Sequence, residues 1–319
     1  MKELCLSMVL FGSFCLVSGC GDRREIAHPA ATSTPAPAHE IAWARGSVDE
    51  AMATATKGRK LLLIYWGAKW CPYCQALKNT VFTRQDFIEK TALFVPVYLD
   101  GDLPGAQAWG ETFKVSGYPT LLILKPDRTE LARMSGGMDL SQYASLLDEA
   151  LQDKRPILGV LATASRPEEC HRLSYHGWDP QALQLDAARL AELLTSAAAR
   201  CAGADQVRLQ LSALNFGLQD NAEHARAEQQ ASLMEQIQNF YTLLGQPQMI
   251  RPAIDLISGF DDALFNIVMQ QGGDFAGKFR DRWVARMQEA ANDERYGDAD
   301  RLIAVASVLD ATKALTPDH

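Results

Sequence analysis

Two cysteines three residues apart carry the most legible chemistry in the chain, in the segment Trp70-Cys71-Pro72-Tyr73-Cys74. Cysteines at i and i+3 at the start of a helix lie on one side of its first turn, close enough to bond to each other. The first sits where unpaired backbone N–H groups and the helix dipole favour negative charge. The thiolate, not the thiol, is the nucleophile of thiol–disulfide exchange. Cys71 is therefore the expected attacking sulfur, and Cys74, one turn in and more shielded, the resolving one. Lys69 adds a nearby positive charge that tunes the pair. Pro72 suits the first turn, where a missing N–H costs nothing. Trp70 and Tyr73 offer apolar surface to a substrate. Half of a structural zinc site is the competing reading, but such a site needs four ligands. No second Cys-x-x-Cys exists, and His171 and His176 stand far along the chain beside a single cysteine. No metal and no other cofactor is expected.

The elements that must position this pair can be read around it. Ser47-Val48-Asp49-Glu50 forms a capping box that starts a helix running to about Thr56. Leu61 to Tyr65, Phe94 to Leu99 and Thr120 to Leu124 are continuous apolar runs, read as buried strands. The turn Lys125-Pro126-Asp127-Arg128 leads to a hairpin partner at Glu130 to Met134. Leu140, Tyr143, Leu147 and Leu151 line one face of a closing helix. Trp109 and Phe113 share a helix face and are expected in the core. Residues 41–155 thus form a compact α/β layer domain.

Strand signals stop at Pro156, and residues 156–319 read as an all-α domain of about seven helices. Val207, Leu211, Leu214 and Leu218 hold one helical stripe, and Phe279, Trp283 and Met287 another. Helices are expected over Glu168–His176 and Pro180–Cys201, with Tyr175, His176 and Trp178 packed in the bend between them. No repeat period holds.

The segment Gly67-Ala68-Lys69-Trp70-Cys71-Pro72-Tyr73-Cys74, followed by Gly117-Tyr118-Pro119-Thr120 ahead of the third strand, resembles the thioredoxin superfamily. The resemblance covers roughly residues 41–153. It implies a thioredoxin-like fold, and Pro119 in the cis form facing the two cysteines. It also implies a backbone edge at Pro119 for an extended substrate, with Tyr118 flanking the sulfurs. Reductases of the family usually carry a buried Asp six residues before the first cysteine. Tyr65 stands there, and a phenol with an ordinary pKa of about 10 is a poor proton acceptor at neutral pH. The Pro-Tyr pair between the cysteines is the one found in glutaredoxins, whose potentials lie near about −200 to −230 mV. The Trp before Cys71 and the long helix before Leu61 are thioredoxin-like instead, so glutathione specificity is not implied. A copper-carrying relative would want a His near the pair, and residues 41–155 hold none.

Seven cysteines in all divide by position. Residues 1–19 combine Lys2, an apolar run from Leu4 to Val17 and small residues before Cys20, the pattern of a secretory signal peptide. Val17-Ser18-Gly19-Cys20 further resembles the bacterial lipobox, which implies lipidation of Cys20. Gly21 then favours the outer membrane. Residues 20–40 are rich in Ala, Pro, Thr and Ser and are expected to form a disordered tether. Cys170 and Cys201 fall on neighbouring expected helices. They form either a structural disulfide, in a compartment that permits one, or two buried free thiols.

Charge excludes some functions. The chain of 319 residues carries a net charge of −8, and phosphate affinity is built on clustered Lys and Arg, so a nucleic-acid binder is excluded. The 14 basic and 13 acidic residues of 41–155 nearly balance, whereas 156–319 carries 14 and 22. The acidity belongs to the helical half. No run of 18 apolar residues exists, which argues against an integral membrane domain.

The expected protein is a lipid-anchored periplasmic thiol–disulfide oxidoreductase, resembling thioredoxin-like lipoproteins of Gram-negative bacteria. It would act on protein thiols or disulfides of the envelope and exchange electrons with a donor or acceptor protein. A second class stays open: an envelope interaction protein whose helical half binds a partner, the redox pair being secondary.

Overall fold

The computed structural model describes residues 40–135, 140–224, 227–257, 261–271, 273–295 and parts of 301–308. The expected signal peptide, Cys20 and all but the last residue of the expected tether lie outside the described residues.

The N-terminal layer runs α1 (Val48–Gly58), β1 (Leu61–Gly67), α2 (Pro72–Thr80), α3 (Gln85–Thr91), β2 (Phe94–Asp100), α4 (Pro104–Thr112), β3 (Thr120–Leu124), β4 (Glu130–Ser135) and α5 (Leu140–Gln152). Helix α1 starts where the capping box requires. The Ser47 hydroxyl accepts from the Glu50 amide at 3.2 Å, and the Glu50 carboxylate accepts from the Ser47 amide at 2.8 Å. The sheet order is β2-β1-β3-β4, with β1 and β2 parallel and the other pairs antiparallel. Side chains alternate across β1. Leu61, Leu63 and Tyr65 pack with Leu77, Phe87 and Tyr143 on one face, while Leu62, Ile64 and Trp66 pack with Met52 and Phe113 on the other. A strand covered by helices on both faces must be apolar throughout, which is why β1 reads as a continuous hydrophobic run. Trp109 is half-buried, its ring under the Arg128 guanidinium at 5.2 Å, rather than deep in the core.

Helices follow from Ile157. The structure has α6 (Ile157–Thr163), α7 (Pro167–Ser174), α8 (Pro180–Leu183), α9 (Ala187–Ala198), α10 (Gly203–His224), α11 (Ala227–Leu244), α12 (Pro247–Ile250), α13 (Ile254–Ile257), α14 (Asp261–Gln271) and α15 (Gly273–Asn292). The expected stripes of α10 and α15 are buried together in one core. Two expected boundaries are corrected. Helix α7 ends at Ser174, so His176 lies beyond it. The single helix expected over Pro180–Cys201 is two, because Gln184 takes a left-handed conformation (φ 57°). Asp186 then caps a new helix through the Arg189 amide at 2.7 Å. Ten helices, rather than about seven, occur among the described residues, three of them (α8, α12 and α13) only four residues long.

The helical region closes the free edge of the sheet. Strand β4 has a partner on one side only, and unpaired edge groups are costly if buried and sticky if exposed. Here the Arg133 amide donates to His176 Nδ1 at 3.0 Å, and the Arg133 carbonyl accepts from the Gly177 amide at 2.7 Å. The Leu131 carbonyl accepts from Arg172 Nε at 3.1 Å. The same guanidinium donates to the carbonyls of Asp153 at 2.8 Å and Arg155 at 3.0 Å, at the junction between α5 and α6. Arg172 is 1% exposed, and its burial lowers its pKa. His176 is wholly buried, and desolvation, with Arg133 and Arg172 beside it, holds its pKa well below the usual histidine range. It is therefore neutral, with Nδ1 as the acceptor and the ring proton on Nε2, which faces Glu130 at 3.4 Å. Gly177 has to be glycine because a Cβ there would meet Ser135 Oγ at 2.8 Å.

Cys170 of α7 and Cys201, just past α9, are joined by a disulfide spanning 31 residues, in a core shared by α6, α7, α9 and α10. Closing a loop of that length removes unfolded-state entropy worth about 3–4 kcal/mol. The double variant Cys170→Ser/Cys201→Ser is expected to lose about that much in urea denaturation monitored by circular dichroism. Arg172→Met keeps the stem but leaves the buried Leu131 carbonyl and the half-buried Asp153 and Arg155 carbonyls without their donor. Its expected loss is about 3 kcal/mol or more in the same assay.

Candidate functional site

Strand β1 ends at Gly67, and the chain turns through Ala68 to Trp70 into α2. Cys71 is the N-cap of α2, with extended backbone (φ −78°, ψ 114°) and Pro72 at the first helical position. Its sulfur does what a capping oxygen does elsewhere: Sγ accepts from the Cys74 amide at 3.1 Å. The Cys71 thiol in turn donates to the Tyr118 carbonyl at 3.6 Å. The Tyr118–Pro119 peptide bond is cis. Both cysteines are free thiols, and Cys74 is fully buried. They pack with Ala68 and Tyr118 in a small cluster of their own.

The expected site residues divide by what they contribute. Trp70 and Tyr73 are exposed, at 69% and 48%. Trp70 is nevertheless fixed: its Nε1 donates to Asp102 at 2.8 Å, and its ring meets Tyr118 edge-on at 6.1 Å. Tyr118 is half-buried and donates its hydroxyl to the Gly101 carbonyl at 3.3 Å, while Pro119 is buried. Lys69 is exposed, and among the described residues its ammonium makes no ion pair. What it adds to the turn is its carbonyl, which accepts from Gln75 Nε2 at 2.8 Å. Cys170 and Cys201 belong to a different core and take no part in this site.

Asp102 and Gly101, which sequence reasoning passed over, also build the site, as does Gly67 of the quoted segment. Asp102 anchors Trp70 across 32 positions of sequence, a link no local signal reveals. Gly101 is bare because the Tyr118 ring occupies the space, and a Cβ there would lie 2.3 Å from it. Gly67 is bare for the same reason, with the Tyr65 hydroxyl 2.2 Å from where its Cβ would be.

Tyr65 is the departure with chemical consequences. It is fully buried, stacked on Tyr98 at 5.4 Å and edge-on to Phe82 at 4.9 Å, and its hydroxyl reaches up beneath Cys74. The hydroxyl makes no well-directed hydrogen bond, yet each group alters the other's titration. Burial, with Cys74 adding to it, pushes the Tyr65 phenol far above its usual value, so it stays protonated. Burial pushes the Cys74 thiol up as well, reinforced by Cys71 and opposed by the Ala68 backbone and the Tyr65 hydroxyl. The family's carboxylate is thus replaced by a group that can lend a proton to the Cys74 sulfur but cannot take its proton away. Tyr65→Phe removes that donor at constant shape and is expected to raise the Cys74 titration further. Tyr65→Asp supplies an acceptor, so the step that consumes the Cys74 thiolate should accelerate at lower pH. Ultraviolet thiolate absorbance and single-turnover rates against pH check both. Coincident profiles for the three proteins would contradict this account.

No metal-ligating cluster of three or more His, Cys, Asp or Glu occurs among the described residues. No described helix is long and apolar enough to cross a membrane.

With this geometry in place, comparison with known proteins locates the likeness. Residues 48–151 match the sequence profile of the family described as a thioredoxin-like domain. Solved structures similar to the chain include a thioredoxin from Thermus thermophilus, 24% identical, with a TM-score of 0.32, covering 35% of this chain and 88% of that one. A DsbH oxidoreductase is 22% identical, with a TM-score of 0.32, and covers 41% and 97%. The C-terminal domain of Neisseria meningitidis DsbD in the oxidised form is 17% identical, with a TM-score of 0.29, and covers 32% and 91%. No curated protein matches the chain. The N-terminal part is accordingly a thioredoxin-like α/β domain with a mixed four-stranded sheet, followed by a largely helical region.

Proposed function

We propose that the protein is a thiol–disulfide oxidoreductase acting through Cys71 and Cys74. The observation that carries this reading is the hydrogen-bonded pair itself. Two free thiols one turn apart have the Cys71 sulfur capping α2 and lying against the Tyr118 carbonyl, under an exposed aromatic rim. A structural pair would have no use for exposed Trp70 and Tyr73 beside it.

The exchange runs in two steps. The Cys71 thiolate attacks a substrate disulfide. A Cys71–substrate bond forms, the substrate S–S bond breaks, and the leaving sulfur takes a proton. Cys74 then loses its proton to solvent and attacks Cys71. The Cys71–Cys74 disulfide forms, and the second substrate thiol is released. The substrate gains two electrons and the dithiol loses them. A donor protein must restore the dithiol, or an acceptor protein must drain it if the cycle runs towards oxidation. Because Cys74 is buried above a protonated phenol, the second step is the slower one at neutral pH.

The finer reading places this chemistry in a bacterial envelope, on protein thiols and disulfides, with the chain tethered through a lipidated Cys20. The Cys170–Cys201 disulfide supports an oxidising compartment. Cys74→Ser is expected to accumulate a mixed disulfide with a protein substrate, seen as a mass shift that reductant reverses. Cys71→Ser is expected to show neither the adduct nor turnover. A Cys71→Ser protein that retained turnover would overturn the assignment. The reduction potential then fixes direction, near about −120 mV for an oxidase and near about −270 mV for a reductase.

A further inference from the structure

A cleft of about 480 Å³ reaches the loop that carries Tyr118, and the helical region builds one of its walls. Tyr118 lines it, and the carbonyl of the same residue accepts the Cys71 thiol. Gln107, Glu111 and Lys114, from α4 and the residues after it, form one side, and Asp179 and Gln181 at the start of α8 face them. We propose that this cleft is a substrate subsite. It would seat the extended polypeptide that flanks a reacting cysteine, and the helical region would thereby set which disulfides are accepted. The proposal rests on the redox reading of Cys71 and Cys74 and extends it to substrate class.

The wall is built to hold its place. The segment ahead of α8 is pinned to β4 by both backbone groups of Arg133, which pair with His176 and Gly177. The Asp179 side chain caps α8 by accepting from the Ala182 amide at 3.0 Å. On the other side, the Lys114 backbone is fixed at φ 54°, and its carbonyl accepts from Arg133 Nη1 at 3.2 Å. One arginine of the sheet edge therefore anchors both walls. The lining mixes a cation, two carboxylates and two side-chain amides with the apolar surface of Val115 and Tyr118. Such a lining suits a peptide backbone with polar flanks, which offers donors and acceptors along its length. A wholly apolar ligand would leave the polar half of that lining unpaired. A small disulfide needs only Cys71, which does not line the cleft.

Filling the cleft separates the two substrate classes. Gln181 and Gln107 are both exposed, so Gln181→Trp and Gln107→Trp obstruct it from opposite walls without disturbing the core. The measurement is single-turnover oxidation of the reduced full-length protein, once by insulin and once by 5,5′-dithiobis(2-nitrobenzoate). The expected result is an insulin rate lower by about tenfold in each variant, with the small-disulfide rate and the Cys71–Cys74 potential unchanged. Unchanged insulin rates in both variants, or equal losses for both oxidants, overturn the proposal. Failure of the unsubstituted protein to react with either oxidant at Cys71 overturns instead the redox reading beneath it.

Discussion

The free edge of β4 is the constraint on which the rest of the structure depends. An edge strand presents amides and carbonyls that must find partners, and here the helical region supplies them. The Arg172 guanidinium holds the Leu131 carbonyl, while His176 and Gly177 hold both backbone groups of Arg133. Each of these contacts is buried, so each works in a medium where an unpaired polar group is expensive. That cost makes the join between sheet and helices specific, since sliding the helices by one residue would strand a buried charge. The opposite edge is managed more simply. Pro96 in β2 lacks an amide, and its carbonyl accepts from Ala44 at 2.7 Å.

The same join reaches the redox end of the sheet. Arg133 braces the residues just before the cis-Pro loop through the carbonyls of Phe113 and Lys114, and that loop lies against Cys71. The disulfide between Cys170 and Cys201 fixes α7 against the end of α9, and α7 carries Arg172. Thioredoxin-like and helical parts are therefore linked through a chain of hydrogen bonds and one covalent bond. Two histidines near this join are shifted in opposite directions for local reasons. His176 is stripped of solvent and stays neutral, whereas His171, paired with Glu149 at 2.7 Å, has its pKa raised by that carboxylate. As pH falls, the buried neutral ring opposes folding and the paired one favours it, so the two act in opposite directions on the join.

At the site, one substitution of chemistry outweighs the shared geometry. A buried tyrosine under the resolving cysteine keeps the fold's aromatic packing, through Tyr98 and Phe82, but removes a proton acceptor. In the proposed exchange the second step is left to solvent and to the titration of Cys74 itself.

The sequence by itself determined what depends on neighbours along the chain. Capping at Ser47 and Glu50, the apolar runs of β1 to β3, the cysteine spacing that makes a redox pair, and the stripes of α10 and α15 are local patterns with local causes. It also placed Tyr65 in the sensitive position, because spacing within one strand and one turn survives folding. What only the tertiary structure decided are contacts across many residues. Asp102 on Trp70, Arg172 on Leu131, His176 on Arg133 and the closure of Cys170 on Cys201 span from 31 to 43 positions. The break of the expected long helix at Gln184 and Asp186 was a local signal outweighed by an unbroken apolar period. The partners of a buried arginine or an edge carbonyl are chosen by packing in space, and no spacing along the chain encodes them.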